Sequence, residues 1–440
     1  MKSAKKIILG CAGLAVLAAA GFFASTYRSE IAPLQTIPVQ EFTAQQIAQG
    51  KMLVTMGDCA VCHTAKGGAE NAGGFPMPSP FGTIYSTNIT PDPETGIGHW
   101  SYEAFERAMR HGIDREGRHL YPAFPYTAFT RVVDEDMRSI YAYLMSQAPV
   151  KSEAAKTDLG FPFNIRQGVA LWNWLNLTPG PVAPVANQTP EWNRGAYIAE
   201  GLGHCSACHS PRDSFAGEKK GIFHLAGGSA EGWDAPALTS ATASPLAWTS
   251  DDLLSYFRTG YSERHGVAAG PMAPVAHGLA QLSDADLRAL TTYIMSYKDE
   301  KAAPGDAHAF VQQANDTLRV PADAEGLRMF QGACMSCHSA DTKQGLLAAT
   351  TFGSRPQMAL NTNMHAASPN NAVLAVLEGI QTPAHPELGT MPSFRYTLSD
   401  AQVATMLNTM RTQYGLPEWQ NLQAAVAKLR ADTDPAKTQH

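Results

Sequence analysis

The sequence predicts a mostly α-helical chain of three tandem domains, and three observations carry that expectation. The pattern C-x-x-C-H occurs three times, at residues 59–63, 205–209 and 334–338. A segment of helical character bearing a glycine (Gly50, Gly195, Gly326) stands before each occurrence. An amphipathic helix closes each repeat, over 134–146, 284–296 and 400–411, with apolar residues at helical spacing such as Leu287, Leu290, Tyr293 and Ile294. The 440 residues are 44% hydrophobic and 16% charged, enough to bury real cores, which excludes a mainly disordered or a polytopic membrane protein. A net charge of −6 gives no support to nucleic acid as a partner.

The elements follow in chain order. Lys2, Lys5 and Lys6 precede an uncharged run over residues 7–24, which reads as a signal peptide or an uncleaved N-terminal anchor and places the rest of the chain outside the cytoplasmic membrane. Cys11 is filler within that run. The first domain is expected over 40–150, the second over 191–300 and the third over 322–415, with 416–440 as a C-terminal tail. The linker 151–190 is rich in proline and aromatic residues, including Phe161, Phe163, Trp172 and Trp174, and the linker 301–321 is polar. The aromatic cluster reads either as cover for the edge of a group bound at the motif or as packing between domains, or else as a docking surface for a partner subunit or the membrane interface. Ser283 and Ser399 are expected helix caps with Asp286 and Gln402 three residues on, while Val133 leaves the first closing helix with a weaker cap.

The repeated motif carries the chemistry. Two thiols about one helical turn apart can add to the two vinyl groups on one edge of a haem, and the histidine that follows then faces the iron. A disulfide or a zinc site requires no histidine directly after the second cysteine, and composition predicts well under one chance occurrence. Cys59, Cys62, Cys205, Cys208, Cys334 and Cys337 are therefore expected to attach three covalent haem c groups, with His63, His209 and His338 as proximal ligands. A glycine on the first helix lets it cross close to the last, as in small c-type cytochromes, so the expected architecture is three tandem class I cytochrome c-like domains. A low-spin haem needs a sixth ligand, and methionine opposite histidine raises its potential. Met272 and Met391 stand at the same place in their repeats, 11 and 8 residues before the serine caps. Phe124 occupies that place in the first repeat and cannot ligate iron. Haem 1 is then five-coordinate or takes a ligand from elsewhere; His119 is the favoured candidate over His111, His99, Met109 and Met77. The remaining histidines, among them His224, His265, His277, His308, His365 and His385, read as surface or loop residues.

At this point the sequence resembles the three-haem cytochrome c subunits of bacterial membrane-bound periplasmic dehydrogenases acting on alcohols, gluconate, fructose and aldehydes. The resemblance rests on residues 80–98, on Leu120 to Tyr126, and on Trp192-Asn-Arg-Gly-Ala-Tyr197 leading into the second motif. It covers about residues 40–415. It implies a chain that is no enzyme on its own and carries electrons from a large catalytic subunit of the molybdenum, pyrroloquinoline quinone or flavin type to membrane ubiquinone or a terminal oxidase. It implies a place on the periplasmic side of the cytoplasmic membrane and the axial positions His63, His209, His338, Met272 and Met391. The loop Tyr121-Pro-Ala-Phe-Pro-Tyr126 looks more like the branch paired with molybdenum-hydroxylase aldehyde dehydrogenases. Two other readings stay open: a freestanding periplasmic electron shuttle, and a haem enzyme acting at an open haem 1.

Overall fold

The computed structural model describes residues 13–14, 16–18, 20–36, 41–298, 305–317, 319–321, 323–338, 357–380 and 389–434. Lys2, Lys5, Lys6, Cys11 and His385 lie outside the described residues, as does part of the expected 301–321 linker. The chain divides into two compact units, one of residues 1–55 and 59–183 and one of 184–440 with 56–58. The first repeat forms the first unit; the second and third repeats pack together in the second. Among the described residues no helix is long and apolar enough to cross a membrane.

In the first unit, α1 (Ala44–Met56) crosses the closing helix α3 (Asp134–Ser146), with α2 (Tyr102–His111) against it. The crossing is made at Gly50, where a Cβ would overlap the Ser139 carbonyl and stand 2.7 Å from the Tyr143 Cβ. Leu53, Met137, Ile140 and Met145 form the fully buried centre. The Ser101 hydroxyl accepts from the Ala104 amide to start α2, and Gly112 at φ 61° stops it. Val133 offers no side-chain cap to α3, as expected; Asp134, Glu135 and Asp136 in its first turn face the exposed amides instead. A small antiparallel sheet runs β1 (Pro76–Ser79), β2 (Gly82–Tyr85), β3 (Asp158–Leu159). The expected linker 151–190 is thus largely built into the unit: it supplies β3 and then α4 (Gly168–Asn176).

The second unit repeats the plan twice. In the second repeat, α5 (Pro190–Glu200) starts at the Thr189 cap with proline in its first turn, and α6 (Ser250–Thr259) starts with a Thr249–Asp252 capping box. The hairpin β4 (Gly228–Ala230) and β5 (Trp233–Ala235) and the short hairpin β6 (Tyr261–Ser262) and β7 (Gly266–Val267) lead to α7 (Asp284–Met295). At Gly195 a Cβ would overlap the Ala289 carbonyl and lie 2.7 Å from the Tyr293 Cβ, the crossing already seen at Gly50. Ser283 caps α7 as expected, but Asp286 does not reach back; its carboxylate takes the Arg194 guanidinium at 2.7 and 3.1 Å, tying α7 to α5. The third repeat comprises α8 (Glu325–Ala333), α9 (Asn370–Glu378) and α10 (Asp400–Gln413). A Cβ at Gly326 would overlap the Thr409 hydroxyl and lie 2.7 Å from the Thr405 carbonyl. Ser399 and Gln402 form the full capping box.

The residues after 415, expected as a tail, form α11 (Leu422–Asp432), which buries Leu422, Val426 and Leu429 beside Trp419 in the core of the third repeat. The helix also replaces a brace. In the first repeat Arg110 of α2 donates to the Thr130 and Val132 carbonyls at 2.8 and 3.0 Å and pairs with Asp134 at the start of α3. In the second, Arg258 of α6 donates to the Ala280 and Leu282 carbonyls and pairs with Asp284. The third repeat has no such arginine on α9. Arg430 of α11 donates to the Leu398 carbonyl at 2.9 Å and pairs with Asp400 at 2.7 Å. Asp134 is largely exposed, so the ion pair itself contributes little. The gain lies in buried loop carbonyls that find a charged donor.

Candidate functional site

Each C-x-x-C-H motif folds as a single helical turn directly after the glycine-bearing helix of its repeat: Cys59–His63, Ser206–His209 and Met335–His338. The histidines are oriented by backbone. His63 Nδ1 lies 2.6 Å from the Thr87 carbonyl, and His209 Nδ1 lies 2.7 Å from the Pro236 carbonyl. Each carbonyl stands just past the second strand of a hairpin, Thr87 after β2 and Pro236 after β5. A carbonyl can only accept, so the proton sits on Nδ1 and the Nε2 lone pair is left for a metal, the usual outer contact of a ligating histidine. Burial holds both imidazoles below the ordinary histidine range, with the carbonyl contact opposing, so both are neutral at pH 7. Burial also pushes the Cys205 thiol up to about 12 and Cys334 to about 11.

The third repeat shows the space a haem requires. An apolar cleft of about 1310 Å³, mouth included, is bordered by Cys334, Cys337 and His338 and by Met391, with Phe330 and Leu407 among its walls. Met391 is fixed by a two-way backbone pairing with Ile380 at 2.9 Å in each direction. The structure therefore brings the attachment pair, the motif histidine and the expected methionine to one cavity. Three further lining residues, Tyr261, Val267 and Ala269, come from the second repeat, whose β6–β7 hairpin walls the cleft. Two seams hold that wall in place. Asp234 exchanges hydrogen bonds with Asn371 at 2.8 Å in both directions, and the Thr362 amide donates to the His265 carbonyl at 3.1 Å. Ala269 stands three residues before Met272, so the Cα atoms at the cleft wall and at the second repeat's expected ligand are at most about 11 Å apart. Met272 opens the short helix Met272–Leu279 and packs with Tyr256 against Ala268 and Ala276.

The first repeat has a phenylalanine at the place of the methionine. Phe124 packs on Phe129 and Tyr126, with ring centres 5.4 and 6.1 Å away. His119 is buried, and its Nε2 lies 3.0 Å from the Thr26 carbonyl while Nδ1 has no hydrogen-bond partner among the described residues. The ring is thus turned toward the N-terminal segment by the nitrogen that usually binds haem iron. His99 Nδ1 faces the Leu34 carbonyl at 2.8 Å, His111 is exposed, Met109 is buried on α2 and Met77 lies on β1.

One sequence expectation needs correction. His265 lies in the β6–β7 turn, a loop residue as expected, but it is not at the surface: its side chain is fully buried, accepts or donates at Ser244 Oγ (2.6 Å), faces Asp252 (3.4 Å) and stacks on Trp248 at 3.8 Å. A polar cluster closed by an aromatic lid buries it, and no periodicity announces such a cluster. Sequence reasoning also missed the carbonyls of Thr87 and Pro236, which leave no side-chain signal.

The family model for cytochrome c matches residues 47–148, 193–298 and 324–413, one match per repeat. The chain belongs to the cytochrome c family. Its three cytochrome c domains each carry one attachment site for covalent haem c. The chain is 48% identical over 419 residues to a nicotinate dehydrogenase subunit of Pseudomonas putida, covering 94% of this chain and 34% of that protein. It is 36% identical to the fructose dehydrogenase cytochrome subunit of Gluconobacter japonicus, covering 87% of this chain and 81% of the relative. It is also 36% identical to the gluconate 2-dehydrogenase cytochrome c subunit of Pantoea cypripedii, covering 88% and 90%. The chain thus spans about a third of the length of the Pseudomonas relative and most of the length of the other two.

Proposed function

We propose that this chain is the electron-transfer subunit of a periplasmic dehydrogenase complex, receiving electrons from a separate catalytic subunit and delivering them toward ubiquinone or an oxidase at the membrane. The observation that carries the reading is the threefold Cys-x-x-Cys-His turn within one chain, the third of which shares an apolar cleft with Met391 whose wall the second repeat lends. Bound at these sites, haem c supplies reversible one-electron redox chemistry. The chain's own residues do the rest. Cys59, Cys62, Cys205, Cys208, Cys334 and Cys337 anchor the groups. His63 and His209, held neutral by burial and aimed by the Thr87 and Pro236 carbonyls, are the proximal donors, with His338 in the same role. Met391 and Met272 are the distal donors of the third and second sites. Tyr261, Val267 and Ala269 keep water from one side of the third cleft. The 48% identity to a nicotinate dehydrogenase subunit makes a heteroaromatic acid such as nicotinate the first substrate to offer the partner, followed by aldehydes.

Gentle isolation of the chain from detergent-solubilised native membranes is expected to bring down a larger dehydrogenase subunit, identified by mass spectrometry and by cofactor analysis. Molybdenum in the co-purifying subunit supports the aldehyde- or nicotinate-type partner, and pyrroloquinoline quinone or flavin points to alcohols or sugar acids. A chain that comes away alone under mild conditions is a freestanding shuttle.

Phe124 favours one departure at the first site, where we propose His119 as the sixth ligand. That requires the ring to give up its Thr26 contact or to bind through Nδ1. Low-temperature EPR of the oxidised protein is then expected to show three low-spin haems, one of them lost in His119→Ala. A purely high-spin first haem that binds carbon monoxide on reduction rejects His119 and favours the open-site reading.

A further inference from the structure

The first unit leaves one apolar face uncovered. Leu171, Trp174 and Leu175 stand three and four residues apart and so share one side of α4, where they are 53%, 62% and 74% exposed. The other side of the helix is its packed side: Val169 and Ala170 are buried, and the Asn173 side chain accepts the Tyr126 hydroxyl at 2.7 Å. The turn leading into α4 adds Phe161, 80% exposed, beside Phe163, whose ring rests 4.2 Å from Phe81.

Charge decides what this face can meet. Between Asp158 and Glu191 the only charged residue is Arg166. Its guanidinium lies over the Tyr121 ring at 4.6 Å and donates to the His119 carbonyl at 3.0 Å, so it is spent inside the unit. A protein partner is normally met by a rim of polar and charged side chains around an apolar centre. The stretch that builds this face supplies no free charge to such a rim, and tryptophan with leucine on an uncharged helix face is the chemistry of a bilayer's interfacial layer. The N-terminal apolar segment lies alongside: Phe22 packs edge-on against Trp174 with ring centres 6.0 Å apart, and Leu14, Val16 and Leu17 are exposed. At 9 residues α4 is only about 13 Å long, too short to span.

We propose that α4 and the Phe161 turn seat flat in the interfacial layer of a lipid bilayer, with Leu171, Trp174 and Leu175 inserted. The inference rests on the membrane location proposed above and names the surface responsible. The test uses the full three-haem protein with phosphatidylcholine–phosphatidylglycerol vesicles, some containing a dibrominated phosphatidylcholine that quenches tryptophan at interfacial depth. The protein is expected to float with the vesicles and to be quenched by the brominated lipid, and Trp174→Phe is expected to lose most of that quenching while still floating. Leu171→Ser/Leu175→Ser is expected to bind vesicles about tenfold more weakly or worse, because two apolar side chains no longer enter the layer. Both variants should keep three haems and the wild-type reduced spectrum. Undiminished quenching in Trp174→Phe overturns the proposal, whatever else holds the chain to the vesicle. So does a serine variant that floats as wild type yet sheds its dehydrogenase partner. A wild-type protein that does not float at all overturns the membrane location together with the surface.

Discussion

Replacing Cys205 and Cys208 with serine is expected to reduce the haem content from three to two per chain and to disrupt the second unit. The reason is volumetric as much as chemical. A domain of about 100 residues has a small core, and a covalent haem is the largest apolar body within it. Emptying the space of a single phenylalanine or tryptophan costs about 3–5 kcal/mol, and a haem is larger than either. The loss should not stay local, because Tyr261, Val267 and Ala269 of the second repeat wall the third repeat's cleft. Pyridine haemochrome stoichiometry and thermal unfolding followed in the Soret band check both parts. Cys59→Ser/Cys62→Ser serves as the comparison. It should also retain two haems, its motif lying in the first unit. Three haems retained after the Cys205/Cys208 replacement would reject covalent attachment at that motif.

Gly195→Val is expected to be strongly damaging although it touches no haem-binding residue. The added Cβ meets the Ala289 carbonyl and the Tyr293 Cβ. Neither is the end of a flexible side chain, so α5 and α7 must move apart. Overpacking of a core costs about 1–3 kcal/mol where side chains can adjust. Here the obstruction is backbone, and a loss of about 3 kcal/mol or more is expected in chemical denaturation. Separating the helices also breaks the two-pronged contact of Arg194 with Asp286. Gly332→Ala on α8 is the control, because among the described residues nothing lies within 4 Å of the position its Cβ would take. A glycine in an open helical position is replaced by alanine with a gain of about 0.4–1 kcal/mol, so the two substitutions should shift stability in opposite directions. Equal, small effects would mean that α5 and α7 do not cross closely at this point.

The site residues were legible to very different degrees. The cysteine pairs and their histidines stand out because one covalent chemistry fixes residue type and spacing together. Met272 and Met391 are proposed through the repeat, which gives two independent sightings of one position. Phe124 stood out against that same repeat. His119 could be named but not oriented: that its Nε2 faces Thr26, 93 residues earlier in the chain, follows from the tertiary path alone. The same holds for His265, whose partners Ser244 and Asp252 are separated from it by loop and helix and carry no recognisable spacing.

Residue order was enough to establish a three-haem, mostly helical cytochrome, the glycines at which each first helix crosses its closing helix, and the caps that start α7 and α10. These features depend on contacts within a few residues or on a motif repeated three times, so their signal is local. Folding in three dimensions had to settle that residues 151–190 supply β3 and α4 to the first unit, and that the residues after 415 build α11 into the third repeat's core. The same is true of Arg430, which takes the place that Arg110 and Arg258 hold in the earlier repeats, and of the second repeat walling the third's cleft. Those outcomes depend on which surfaces meet across long stretches of chain, and a buried carbonyl accepts an arginine from any element that reaches it, so neither spacing nor composition records the choice.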